Sequence, residues 1–140
     1  MSKQSGETIR LPTEWEWQLA ATGGNPEREY PWPGGWDPTR CNSEEARLIR
    51  TSAVGLYPSG ATRHGVLDIA GNVEEWCLNK YEKPGSGESV SIEDEENAQR
   101  VIRGGSWCDT PEYLGSSHRN RFNADNRYDF IGFRLAQDIP

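Results

Sequence analysis

The chain has 140 residues, a net charge of −7, 34% hydrophobic residues and a mean hydropathy of −0.86. That length suits one domain with a small core. The acidic balance argues against a nucleic-acid binder and against a basic membrane patch, and no apolar run is long enough to span a bilayer.

Residues 1–6 lack the apolar stretch of a signal peptide and are expected to form a flexible N-terminus. Thr8–Leu11 reads as a short strand stopped by Pro12. Thr13-Glu14-Trp15-Glu16 is a capping box that opens a helix running to about Thr22, with Gly23 or Gly24 as its stop. Trp17, Ala20 and Ala21 form its buried stripe. The proline- and glycine-rich stretch from Asn25 to Asn42 is expected to be an ordered loop pinned by Trp32 and Trp36.

Ser52–Gly55 reads as a short extended piece before a turn near Pro58-Ser59-Gly60. The turn Ala70-Gly71-Asn72 leads into a strand-like Val73–Trp76. Residues 83–99 are rich in Gly, Ser, Glu and Asp and predict a flexible acidic loop. Val101–Arg103 and Gly132–Leu135 read as strands. Cys41, Cys77 and Cys108 have no local spacing pattern, which fits unconnected thiols in a reducing compartment, with a Cys41–Cys77 bridge as the alternative.

Several words, in order, carry a resemblance: Arg10-Leu11-Pro12-Thr13-Glu14-Trp15-Glu16-Trp17, Tyr30-Pro31-Trp32, Cys41-Asn42, Asp68–Trp76, Arg103-Gly104-Gly105-Ser106-Trp107 and Ile131-Gly132-Phe133-Arg134. Together they resemble the formylglycine-generating-enzyme (sulfatase-modifying-factor) family. The resemblance implies an α+β, C-type-lectin-like fold, loop-rich with short strands and few helices, over a single domain at 7–140. Family domains begin with a strand and a helix ahead of the first word, so their partner for the last strand is expected to be missing here. An uncovered strand edge would then favour self-association.

The family's oxidases hold copper through paired cysteines after the Gly-Gly-Ser word. Here Cys108 stands one position early, and Tyr113 occupies the place of its partner. A second branch binds iron through three histidines, whereas this chain has His64 and His118 alone. No catalytic residue or catalytic cofactor is therefore expected. Asp68, Gly71, Val73 and Glu75 match the family's structural calcium ligands, so a structural Ca²⁺ is implied there.

Residues 108–130 mix Tyr, Ser, Asn, Asp and Phe, a recognition-surface composition. This segment also resembles the variable region of diversity-generating retroelement proteins, in which adenines of the gene are randomised. Asn codons there never yield Lys, Glu, Gln, Met or Trp, and between Cys108 and Phe130 Glu112 alone breaks that restriction. The resemblance implies a non-enzymatic binder of a protein or other surface ligand, cytoplasmic or phage-associated. Its contacts would come from Asp109, Thr110, Tyr113, His118, Asn120, Phe122, Tyr128, Asp129 and Phe130. Arg119, Arg121, Arg127 and Arg134 are expected to act as a framework. The alternatives are a formylglycine-generating-type oxidase or a degenerate relative, and a calcium-dependent carbohydrate binder.

Overall fold

A computed structural model describes residues 2–4, 7–83 and 97–139. The bulk of the expected acidic loop, at 84–96, lies outside the described residues. Two sheets and one helix organise the chain. The first sheet has the order β1-β2-β7, from Ser2–Gln4, Glu7–Arg10 and Ala136–Gln137. The second has the order β5-β4-β3-β6, from Arg119–Asn123, Gln99–Arg103, Glu74–Lys80 and Ile131–Gly132. The pairings are antiparallel except β3 with β6.

The helix α1 spans Glu14–Thr22 and starts as its sequence predicts. Thr13 Oγ1 accepts from the Glu16 amide at 3.2 Å, and Glu16 Oε2 accepts from the Thr13 amide at 2.8 Å. Gly23 ends it at φ 62°, a left-handed conformation, and donates to the Leu19 carbonyl. Trp17 and Ala21 are buried and pack with Ile69, Cys77 and Val101. A second cluster joins Tyr30, Trp32, Cys41, Ala70 and Leu114, with Trp36 against it, so the tryptophans do pin the irregular stretch.

Several expectations need correction. The first six residues are not wholly loose: Ser2–Gln4 pairs with β2, because the strand ladder satisfies backbone groups that would otherwise face water. β2 also pairs with β7, through Ile9 opposite Gln137 and Arg10 opposite Ala136. The Thr8–Leu11 word thus supplies the closing partner of the last strand, and β2 is paired on both sides. Arg10 strengthens this closure by bonding Glu16 and Asp138 at 2.7 Å each. Elsewhere, β5 forms within 108–130, and the last-word strand covers Ile131–Gly132 with Phe133–Leu135 irregular. All three cysteines are free, so Cys41 and Cys77 are not bridged. Burial pushes both of their thiols up to about 12, which leaves them protonated and unreactive at neutral pH.

The sheet of β3 and β4 has two faces. Glu75, Cys77, Val101 and Arg103 face α1, whereas Glu74, Trp76 and Ile102 face away. Between α1 and the sheet lies an ionic knot. Arg103, 3% exposed, donates to Glu14 Oε1 at 2.8 Å, and Arg119 donates to both oxygens of the same carboxylate. Arg103 also bonds Gln18 and the Ser116 carbonyl, and stacks over the Trp17 ring at 4.8 Å. Removing one partner of a buried pair leaves the other charge uncompensated. Glu14→Gln is expected to lower unfolding stability by about 3–5 kcal/mol, read from urea denaturation.

Candidate binding surface

The segment 108–130 hangs between two anchored ends. At the first, Gly104 and Gly105 sit at φ 99° and 65°. A Cβ on Gly104 would fall 2.7 Å from the Ile69 carbonyl, and one on Gly105 would fall 2.5 Å from Leu114 Cδ2. Only glycine meets both demands. The Gly104 carbonyl accepts from the Gly71 amide, and the Asn72 carbonyl accepts from the Trp107 amide. At the far end, the Phe130 carbonyl accepts from the Glu74 amide at 2.8 Å, and Ile131 pairs with Glu74.

Between these ends the backbone is held while most side chains stay accessible. Among residues 108–130, Leu114 and Ser116 are the buried ones. Of the sequence-predicted contacts, Tyr113, Tyr128 and Asp129 are exposed, and Asp109, Thr110, His118, Asn120, Phe122 and Phe130 are half-buried. They fall into two groups. Tyr113 meets His118 edge-on at 5.2 Å between ring centres. Phe122, Tyr128 and Phe130 form an aromatic trio, with Tyr128 and Phe130 stacked at 5.0 Å and 6°.

Some predicted contacts serve the scaffold as well. Asp109 Oδ2 accepts from the Ser106 amide at 2.7 Å and its hydroxyl at 2.8 Å, which stabilises the turn after the glycines. Asn120 Nδ2 donates to Glu74 Oε1 at 3.1 Å. Burial lowers the pKa of His118, against the pull of the Asp109 charge. Its imidazole is then neutral at neutral pH and offers one donor and one acceptor. Cys108 is exposed, with Sγ 3.2 Å from Ser106 Oγ.

Sequence reasoning missed the residue beneath this surface. Glu74 is 5% exposed, and burial pushes its carboxyl up to about 7, an effect the Asn120 hydrogen bond opposes and Asp109 reinforces. The signal was present in the adjacent pair Glu74-Glu75, since alternate strand residues face opposite sides and both sides here are covered. The arginine framework is as expected for Arg119 and Arg134. Arg127 braces its own turn, and Arg121 lies over the Tyr81 ring at 4.7 Å. Arg103, the most buried of the arginines bound to Glu14, was not foreseen as part of it.

The residues assigned to calcium are otherwise engaged. Glu75 Oε2 accepts from Trp17 Nε1 at 2.8 Å and Arg134 Nε at 2.6 Å, while Oε1 accepts from Arg134 Nη2 at 2.7 Å. Asp68 Oδ2 accepts from the Gly55 amide, and the Gly71 carbonyl accepts from the Val73 amide. Arg134 also donates to the Leu67 and Asp68 carbonyls. A guanidinium thus provides the counter-charge, and the donor set as arranged does not fit a calcium ion, which requires several free oxygens. Among the described residues no group of three His, Cys, Asp or Glu converges to hold a metal.

A curled, loop-rich sheet with one capped helix defines a C-type-lectin-like scaffold. The model of the sulfatase-modifying factor enzyme 1-like domain matches residues 1–139, and the chain belongs to that family. The hercynine oxygenase of Mycobacterium tuberculosis is 38% identical over 143 residues, covering 93% of this chain and 32% of its own length. The inactive C-alpha-formylglycine-generating enzyme 2 of Mus musculus is 33% identical over 142 residues, covering 91% of this chain and 42% of its own. The solved structure of Treponema denticola variable protein 1 superposes with a TM-score of 0.77 at 29% identity, covering 94% of this chain and 48% of that one. The chain thus spans less than half the length of these relatives, and the family includes both an oxygenase and a member named inactive.

Glu74 gives a pH signature. Its folded pKa stands above the usual 4.5, so between about 4.5 and 7 the folded state binds the extra proton and stability falls as pH rises. Glu74→Gln is expected to flatten the melting temperature across that window and raise it above pH 7, as measured by scanning calorimetry. Millimolar calcium is expected to leave the melting temperature unchanged; a rise that Asp68→Asn removes would place an ion there.

Proposed function

We propose that this chain is a non-enzymatic ligand-binding protein that displays a diversified surface on its C-type-lectin-like scaffold. The observation that carries the reading is the contrast within residues 108–130. Their ends are fixed by glycine-bound backbone contacts, yet Leu114 and Ser116 are the buried side chains of the segment. Replacement of exposed side chains changes contact chemistry with little effect on folding. Tyr113 and Tyr128 offer large rigid areas, and His118, Asn120 and Asp129 offer hydrogen bonds around them. The ligand is a protein or another surface molecule.

Cys108 lacks the second thiol that a two-sulfur metal site needs, since Tyr113 stands in its place and the other two cysteines are buried. Membership of the sulfatase-modifying factor enzyme family supports a competing oxidase reading, and oxygen consumption with a cysteine peptide and copper discriminates it.

Tyr113→Ser and Tyr128→Ser are expected to alter ligand binding while each costs no more than about 1 kcal/mol of stability. Arg119→Ser is expected to cost several times as much, because Glu14 would lose a buried partner. The DNA downstream of codon 140 is expected to hold a near-copy repeat that differs at adenines, beside a reverse transcriptase gene. Without that repeat, the diversification reading fails.

A further inference from the structure

The sheet face turned away from α1 carries a second feature, next to the far end of the segment. β3 and β4 lose register between Trp76 and Lys80. Within this irregularity the Leu78 amide turns to the Pro12 carbonyl at 2.8 Å, and the Leu78 carbonyl accepts from Arg100 at 3.2 Å. The result is a cleft of about 720 Å³, walled by Trp76, Leu78, Tyr128, Ile131 and Phe133, with Arg127 at its edge. That volume falls within the usual range for small-molecule sites, about 300–1,000 Å³. Phe133, one of its walls, is 63% exposed and accessible to a ligand.

The chain carries −7 overall, yet among the described residues the cleft is lined by two arginines, Arg100 and Arg127, and by no aspartate or glutamate. Arg127 is held in place by donating Nη1 to the Ala124 and Asn126 carbonyls, and it forms no ion pair with a described residue. A fixed guanidinium with spare donors, at the edge of an aromatic cleft, reads a carboxylate or sulfonate attached to an apolar body. The surrounding negative charge disfavours polyanions.

The geometry points to this cleft as a binding site for a small amphiphilic organic anion, with an aromatic or alkyl body against Trp76, Leu78 and Phe133 and its single charge on Arg127. Trp76, Leu78, Ile131 and Phe133 lie outside 108–130, whereas Ala124, Asn126, Arg127 and Tyr128 lie inside it, so the charged end of the cleft belongs to that segment. It overlaps the segment of the proposed diversified surface at Ala124, Asn126, Arg127 and Tyr128, and its probe test does not depend on that surface being diversified.

The test uses two fluorescent probes of similar shape, anionic 1-anilinonaphthalene-8-sulfonate and neutral N-phenyl-1-naphthylamine, titrated into the folded chain. Saturable binding of the anionic probe is expected. Arg127→Gln should weaken it about tenfold while changing the neutral probe less than about twofold, and Arg127→Lys should restore most of the affinity. Phe133→Ala should weaken both probes, and Tyr113→Ser, on the other exposed group, should affect neither. Thermal melts confirm that each variant is folded. The proposal is overturned by absent saturation, by equal response of both probes to Arg127→Gln, by an unaffected Phe133→Ala, or by loss of binding in Tyr113→Ser.

Discussion

The structure depends on a charged junction inside a small core. Glu14, at the first turn of α1, receives Arg103 from β4 and Arg119 from β5. Trp17, one turn later, lies under the Arg103 guanidinium and donates its indole N–H to Glu75, which in turn holds Arg134. An unbroken line of opposite charges and one aromatic ring therefore ties the helix to both margins of the recognition segment. With a core this limited in apolar residues, position is set by directional bonds rather than by bulk burial. Such pairs add specificity of arrangement more dependably than net stability.

The same economy explains how the motif words cooperate. They are far apart in the chain and meet at one place. The Asn42 carbonyl accepts from the Asn72 amide, the Gly104 carbonyl from the Gly71 amide, and the Asn72 carbonyl from the Trp107 amide. A Cβ on Gly71 would lie 2.3 Å from the Asn42 oxygen. Each word is thus the complement of another, and the loops they begin inherit a fixed starting direction. Domains with rigid scaffolds and irregular connections commonly carry function on such loops.

The legible parts of the sequence were those governed by local chemistry. The capping box, the Gly23 stop and the Trp17–Ala21 stripe need only neighbouring residues, and each is found in place. The Trp32 and Trp36 anchors were also readable, because aromatic residues in a proline-rich loop have few other ways to leave water. β5 was not readable. Arg119–Asn123 alternates charged and polar residues with one Phe, and its strand state comes from five paired positions along β4. The buried Arg103 and Glu74 escaped notice for a related reason: their burial arises from partners more than forty residues distant, Asn120 for one and Glu14 for the other. Of the residues singled out by composition, Tyr113 and Tyr128 are exposed, whereas Asp109 and Asn120 are tied to Ser106 and Glu74.

β5 sets the grammar of any library built on this chain. Arg119 faces the Glu14 carboxylate and Arg121 covers the Tyr81 ring, while Asn120 and Phe122 point to the opposite side. A randomisation scheme that changes every codon from 119 to 123 would dissolve the moorings together with the display. One that keeps Arg119, Asn120 and Arg121 and varies Phe122 would explore new chemistry while the strand stays seated.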